Sequence, residues 1–313
     1  MTLVPRMIPG LLRGFSSSST PLSRFVPQHD PVQEEDIETL VRLVNQHRPI
    51  SVLTGAGVST ESGLPDYRSH DVGLFARTTY KPITIQAFLK DPDRRQAYWA
   101  RNFIAWPGFR SSEPNVTHFT LTEWQRKGLV SSLVTQNVDR LHQKAGSIDV
   151  IELHGNSAQV QCISCCFKID RDNFQIILNQ LNPDFKIGFN EGLQVRPDGD
   201  IQISPQVAEL FKYPSCPECN GILKPTVVFF GENVPKEVVN SVYSGISKSQ
   251  LLLILGSSLQ VYSGYRFVLH ALENAKPVVI VNIGPTRADH LSSKSGVLFV
   301  RGRVGEVVSR IKP

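Results

Sequence analysis

The sequence predicts a doubly wound α/β fold, a mostly parallel sheet covered by helices on both faces, with a smaller cysteine-bearing module inserted into it. Three observations lead there. Short runs such as Leu251–Leu255 and Val278–Asn282 are apolar throughout rather than alternating, as strands buried on both faces are. The first such run, Ile50–Leu53, leads straight into a glycine turn. All five cysteines lie between Gln161 and Asn220 and interrupt the pattern.

In chain order, the first stretch is a leader. Residues 1–29 hold no acidic residue, and Ser16–Ser19 follow Arg6 and Arg13. This basic, Ser-rich, acid-free composition is that of a mitochondrial transit peptide. Pro5, Pro9, Gly10 and Arg13 break any secretory apolar core. Of the net charge of +5, Arg6, Arg13 and Arg24 supply three. The remaining +2 is too little for a nucleic-acid surface. No run approaches the ~18 apolar residues of a membrane span. Hydrophobic content of 41% and charged content of 19% are those of an ordinary globular chain.

The folded unit is expected over 34–313. Glu34–Asn45 reads as an amphipathic helix with Ile37, Leu40, Val41 and Val44 on one stripe. Further strands are expected at Val130–Thr135, Thr226–Phe230, Leu251–Leu255, Val278–Asn282 and Val297–Val300. With the glycine turn after the first strand, this order is Rossmann-like.

The insertion, 161–220, has its own organising principle. Cys162 and Cys165 form one C-x2-C knuckle, Cys216 and Cys219 another. Two knuckles complete a tetrahedral four-thiolate site for one structural zinc, closed to catalysis. A disulfide pair or inert buried thiols are the alternatives, and a reducing matrix disfavours the first. Cys166 is left over, with packing as its expected role.

Within the turn Gly55-Ala56-Gly57-Val58-Ser59, Gly57 would let backbone approach a pyrophosphate. The dehydrogenase fingerprint fails, because Thr60 stands where its third glycine belongs and no acidic residue ends a second strand. The adjoining Pro65-Asp66-Tyr67-Arg68 adds a carboxylate and a cation that could meet a phosphate bidentately.

Five blocks taken together resemble the sirtuin family. They are Gly55–Ser69, Thr135–His142 (TQNVDRLH), His154-Gly155, Lys224–Glu232 (KPTVVFFGE) and Gly256–Val261 (GSSLQV), with the knuckles between the third and fourth. Tyr98–Phe103, Ser258–Phe267 and Asn282–Arg287 are most similar to the mitochondrial class II branch, the type numbered four in vertebrates.

The resemblance implies an enzyme that spends NAD as co-substrate to remove acyl groups from protein lysines. It implies that Gly55, Ala56, Gly57, Ser59, Pro65, Asp66, Tyr67, Arg68 and Phe75 surround the pyrophosphate and nicotinamide ribose. Gln136, Asn137, Val138 and Asp139 would line the ribose and nicotinamide pocket. Gly256, Ser257, Ser258, Asn282, Ile283 and Gly284 would hold the adenosine side, with Val304 near the adenine. The acyl oxygen would attack the ribose carbon bearing nicotinamide. His154, helped by Asn137, would then take a proton from a ribose hydroxyl. The products are nicotinamide, free lysine and acyl-ADP-ribose. His142 is expected to be structural.

The substrate peptide is expected as an added strand between Val228–Glu232, including Phe230 and Gly231, and the Val261–Gly264 loop with Tyr262. Family members that take short acidic acyl groups use a Tyr and an Arg where this chain has Gly73–Arg77. Arg77 stands for the Arg, whereas Leu74 and Phe75 replace the Tyr region. A bulkier, branched acyl group of methylglutaryl type is therefore expected over succinyl. The segment containing Phe185, Ile187, Phe189 and Leu193 either shapes that choice or is a solvated loop. The resemblance further implies a monomer of the mitochondrial matrix acting on acylated metabolic enzymes, glutamate dehydrogenase and lipoylated dehydrogenase complexes among them. Mono-ADP-ribosyl transfer and lipoamidase activity at the same site are alternatives, as is a non-catalytic NAD sensor or scaffold.

Overall fold

The computed structural model describes residues 24–78, 81–185, 196–292 and 296–312. The leader up to residue 23, and Ile187, Phe189 and Leu193, lie outside the described residues. Six parallel strands form the main sheet: β1 (Ile50–Thr54), β2 (Val130–Thr135), β3 (Ile151–Glu152), then β7 (Leu251–Leu255), β8 (Val278–Val281) and β9 (Val297–Val300). Between them in the chain come β4 (Gln159–Cys162), β5 (Lys168–Asp170) and β6 (Leu223–Pro225), which make a separate antiparallel sheet.

The main sheet runs β3-β2-β1-β7-β8-β9. Strand order reverses between β1 and β7, the switch point at which doubly wound sheets bind ligands. The all-apolar strands are explained by what each face meets. In β7, Leu251, Leu253 and Leu255 enter one core, shared with the helices Glu34–Gln46, Val116–Arg126 and Val304–Ser309. Leu252 and Ile254 enter the other, against the helices Lys236–Lys248 and Tyr262–Glu273. The two-residue period of a strand thus feeds two cores at once.

The smaller lobe is not the cysteine insertion alone. Its core joins Val160, Cys162, Phe174 and Leu223 to Phe88, Trp99, Phe103 and Phe109 from the helices Ile85–Lys90 and Pro92–Arg110. The second of these starts on Asp91, whose side chain accepts from Asp93 and Arg94 backbone nitrogens, with Pro92 at its first position. Phe185 packs its ring on Phe103 and Phe211.

Two sequence expectations need correction. Thr226–Phe230 is no strand. Thr226 N donates to Gln159 O, Val228 N to His154 O, and Phe230 O accepts from Ile85 N, so its backbone pairs with three separate partners as it joins the lobes. Cys166 is exposed rather than packed. In addition, Val261–Gly264 is the start of the helix Tyr262–Glu273 and not a loop.

Candidate active site

The turns after β1 and β7 cross at the switch point. Gly55 N donates to Leu255 O and Gly57 N to Gly256 O, both at 2.9 Å. A Cβ on Gly57 would lie 2.9 Å from Gly256 Cα, and one on Gly55 2.7 Å from Gly256 O. Glycine is needed here because two backbones touch. Gly256 also has φ +59°, where a side chain is strained.

Behind this crossing lies a polar cluster drawn from the segments that follow β1 and β2. Asn137 Nδ2 donates to Gly55 O and Ser59 Oγ, each at 3.1 Å. Ser59 Oγ donates to Asp139 Oδ2 at 2.7 Å, and Leu141 N donates to Asp139 Oδ1 at 2.9 Å. Burial raises the Asp139 carboxyl above the usual range, and these two donors oppose that rise. Gln136 Nε2 donates to Thr54 O at 3.2 Å and Ser257 Oγ at 2.9 Å, tying the two turns together.

His154 follows β3. Its Nδ1 lies 2.9 Å from Gln136 O and its Nε2 2.8 Å from Ser263 Oγ. A carbonyl can only accept, so Nδ1 carries the proton and Nε2 keeps its lone pair. Burial lowers the pKa of the ring, with the Gln136 hydrogen bond opposing. The result is a neutral, oriented base. Gly155 has φ +71°, and a Cβ there would sit 1.8 Å from Thr226 O. That close approach accounts for the His-Gly pairing.

His142, by contrast, is sealed away. Its Nε2 is 3.0 Å from Thr54 Oγ1, its ring centroid lies 4.8 Å from that of His118 in a tilted contact, and burial brings its pKa down to about 4.

One cavity of ≈ 920 Å³ spans these elements. Its wall holds Gly55, Ala56, Gly57, Ser59, Pro65, Asp66, Tyr67 and Arg68 from the first block, Gln136 to Asp139 from the second, and His154. Gly256, Ser257, Ser258, Asn282, Ile283 and Gly284 form another side, and Val228, Phe230, Gly231, Glu232 and Tyr262 another. Val304 lines an adjoining recess that shares Gly57, Gly256 and Asn282–Gly284 with the main cavity. Phe75 and Arg77 are not on the wall. Arg77 lies over the Phe25 ring at 5.3 Å, and Phe75 packs against Tyr67 and under Arg68.

Two charged residues on the wall are committed to local structure. Asp66 accepts from Arg68 N at 3.0 Å, from Ser69 N at 2.8 Å and from the Ser69 hydroxyl. Glu232 Oε2 accepts from Phe229 N at 2.9 Å and from the buried Lys224 Nζ at 3.1 Å, bracing the segment between. Sequence reasoning missed Tyr98, Pro27, Gln28, Pro197 and Asp198, all of which line the cavity, and placed Ser263 beside the peptide without foreseeing its contact with His154. Asp198 comes from beyond the undescribed part of the inter-knuckle segment, and burial beside Asp200 raises its carboxyl to about 6.

Away from the cavity, the ligand atoms of Cys162, Cys165, Cys216 and Cys219 all lie within 4.8 Å of one another. The Cys162–Cys219 and Cys165–Cys216 sulfurs are 3.5 and 3.6 Å apart. A tetrahedral zinc with ~2.3 Å bonds needs sulfurs about 3.8 Å apart, so the cluster fits that ion.

The Sir2 family pattern matches residues 55–263, two-thirds of the chain, and includes all five of the blocks from Gly55–Ser69 to Gly256–Val261. The chain belongs to the Sir2 family. Among similar sirtuins is the NAD-dependent protein deacylase Sirt4 of Drosophila melanogaster, 47% identical over 294 residues, covering 94% of this chain and 92% of the relative. The human NAD-dependent protein lipoamidase sirtuin-4, mitochondrial, is 44% identical over 306 residues, covering 96% and 95%. A solved Sir2 with a p53 peptide and NAD+ superimposes with a TM-score of 0.65 at 30% identity, over 88% of this chain and 96% of that one. The protein is thus a sirtuin-type enzyme of the class II, type-four branch, with NAD as co-substrate and a four-cysteine cluster compatible with structural zinc.

Proposed function

We propose that this sirtuin is an NAD-dependent protein-lysine deacylase with His154 as its general base. The observation that carries the reading is the His154 tautomer: Nδ1 is pinned on Gln136 O, which leaves Nε2 as the acceptor beside Ser263 Oγ, on the wall of a cavity that also contains the crossing of the two glycine turns. NAD supplies an activated ribose–nicotinamide bond whose cleavage draws off the acyl group. The chain's own residues position and exclude. Gly57 and Gly256 let the two turns cross in direct backbone contact on the cavity wall, where bare backbone can face a pyrophosphate. Asp139 and Asn137 offer a carboxylate and an amide on the cavity wall, suited to a carboxamide and a ribose hydroxyl. His154 Nε2 accepts the hydroxyl proton, with its pKa placed so that the ring is neutral at matrix pH.

The unit responsible is residues 34–313 with the zinc-bearing insertion 161–220, preceded by an import leader. The names of the human and bovine relatives support a mitochondrial setting, and we place the enzyme in the matrix. Its substrates would be acyl-lysines of mitochondrial metabolic enzymes, glutamate dehydrogenase and lipoylated dehydrogenase complexes among them. The acyl group is bulky or branched. The cavity is large, Tyr98, Ile83 and Val227 give it an apolar wall, and Arg77 is not there to meet a short acid. The arginines on the wall are Arg68 and Arg266.

The test is nicotinamide release from NAD with peptides carrying acetyl-, succinyl-, methylglutaryl- and lipoyl-lysine. Release with methylglutaryl or lipoyl ahead of succinyl supports the reading. Succinyl-lysine as best substrate overturns the acyl preference, and no release with any peptide overturns deacylation.

A further inference from the structure

The sequence assigns residues 1–29 to a leader, yet the last of these sit in the folded body. Phe25 is 4% exposed, with the Arg24 guanidinium 4.8 Å and the Arg77 guanidinium 5.3 Å from its ring. Seven residues on, Val32 is seated on Gly302, so tightly that a Cβ there would lie 2.1 Å from Val32 Cγ2. Glu34, opening the next helix, pairs with Arg310. The stretch between these anchors therefore runs from the helix Leu74–Arg77 to the start of the last helix, Val304–Ser309.

What it crosses is the cavity. Pro27 and Gln28 are on the wall beside Asp66 and Ser69, and Pro27 also lines the recess with Asn282–Gly284 and Arg303. Pro27 thus stands at the junction of the two halves of the dinucleotide site. Gln28 is exposed, so its amide faces solvent at the cavity mouth. An amide at that point can donate to a phosphate oxygen or accept from a ribose hydroxyl.

We propose that residues 25–32 are a strap over the cofactor cleft and that Pro27 and Gln28 are positioning and specificity residues for the dinucleotide. This rests on the cavity being the NAD site. The anchors at Phe25 and Val32 hold the strap in place before NAD arrives, so little ordering is left to oppose binding. Proline at 27 limits the backbone further. A corollary follows for processing. Cleavage that removed Phe25 would remove the strap, so the mature chain begins at or before Phe25.

The experiment uses the full chain with two variants. Phe25→Asp undocks the strap by burying a charge, and the pair Pro27→Gly with Gln28→Gly leaves both anchors in place. NAD affinity is read by direct titration, which needs no turnover, together with KM for NAD and for acyl-peptide. Phe25→Asp should weaken NAD about tenfold, and the glycine pair about threefold, with peptide KM within about twofold of wild type. Equal NAD affinity in wild type and in a folded glycine-pair variant overturns the strap. Equal loss for NAD and peptide does so too, since it marks a general structural role. Wild-type chain that binds NAD but releases no nicotinamide overturns the deacylase reading instead, and leaves the titration to decide on the strap.

Discussion

The two lobes are held together in different ways. The six-stranded sheet is closed by burial: β1, β7 and β8 are inaccessible at every residue and feed apolar side chains into two cores. The smaller sheet has strands of four, three and three residues. It leans on one aromatic helix, Pro92–Arg110, and on a buried Arg171 whose guanidinium lies 4.8 Å from the Trp106 ring and 5.9 Å from Trp99. So little regular structure is marginal alone, and thiolates that capture a metal add folding free energy directly. The larger lobe needs no such addition. The difference teaches that the cleft has one self-supporting wall and one that is stapled.

The largest effect should come from breaking the staple. Removing zinc with a chelator, or Cys216→Ser, should cut deacylation by at least about 100-fold, while much of the helical signal from the larger lobe persists. Full activity after complete metal removal would show that the smaller lobe folds on its own. A pH titration sharpens the other side of the comparison. His142, with a pKa of about 4, and His118, also lowered by burial, are held neutral under the main sheet. In the unfolded chain they titrate near ~6.5, so acid favours unfolding. Stability should be intact above that value and fall as pH drops from about 6.5 towards 4, by up to roughly 3 kcal/mol from His142. Denaturant midpoints that stay level across that window would contradict this.

Much of this was legible beforehand, for a physical reason. The glycine turn, the knuckles and the His154-Gly155 pair are local, and each meets its geometric demand within a few residues. Strands with two buried faces announce themselves by composition. What stayed hidden depends on chain segments brought together from far apart. Ser263 reaches His154 across 109 positions, and Asp198 and Pro27 arrive from widely separated segments of the chain. Nothing in their neighbours' spacing encodes that. Thr226–Phe230 misled for a related reason: its β-branched and aromatic residues fit a strand, but its backbone partners are single residues of a strand end, a loop and a helix start rather than one continuous strand. The place of Arg77 follows from the family resemblance alone, and its packing on Phe25 depends on a segment that the composition assigns to the leader.

Two smaller effects probe the crossing and the base. Gly57→Ala puts a methyl 2.9 Å from Gly256 Cα and O. It should weaken NAD about tenfold and cost roughly 1–3 kcal/mol of stability, read by titration and denaturant unfolding. Unchanged NAD affinity would mean the crossing does not set the pyrophosphate site. Ser263→Ala removes the hydroxyl 2.8 Å from His154 Nε2. We expect about a threefold loss in kcat/KM and a shift in the acid limb of the pH–rate profile, which in wild type should lie below the ordinary histidine value because burial lowers His154. An acid limb above about 6.5 would argue against His154 as the titrating base.

The most direct test separates the two halves of the reaction in His154→Ala. His154 is assigned to a proton taken only after nicotinamide has left. The variant should therefore still exchange labelled free nicotinamide into NAD when acyl-peptide is present, while formation of free lysine falls by about 100-fold or more. Loss of exchange and lysine formation to the same degree, in a folded variant that still binds NAD, would contradict the role given to His154.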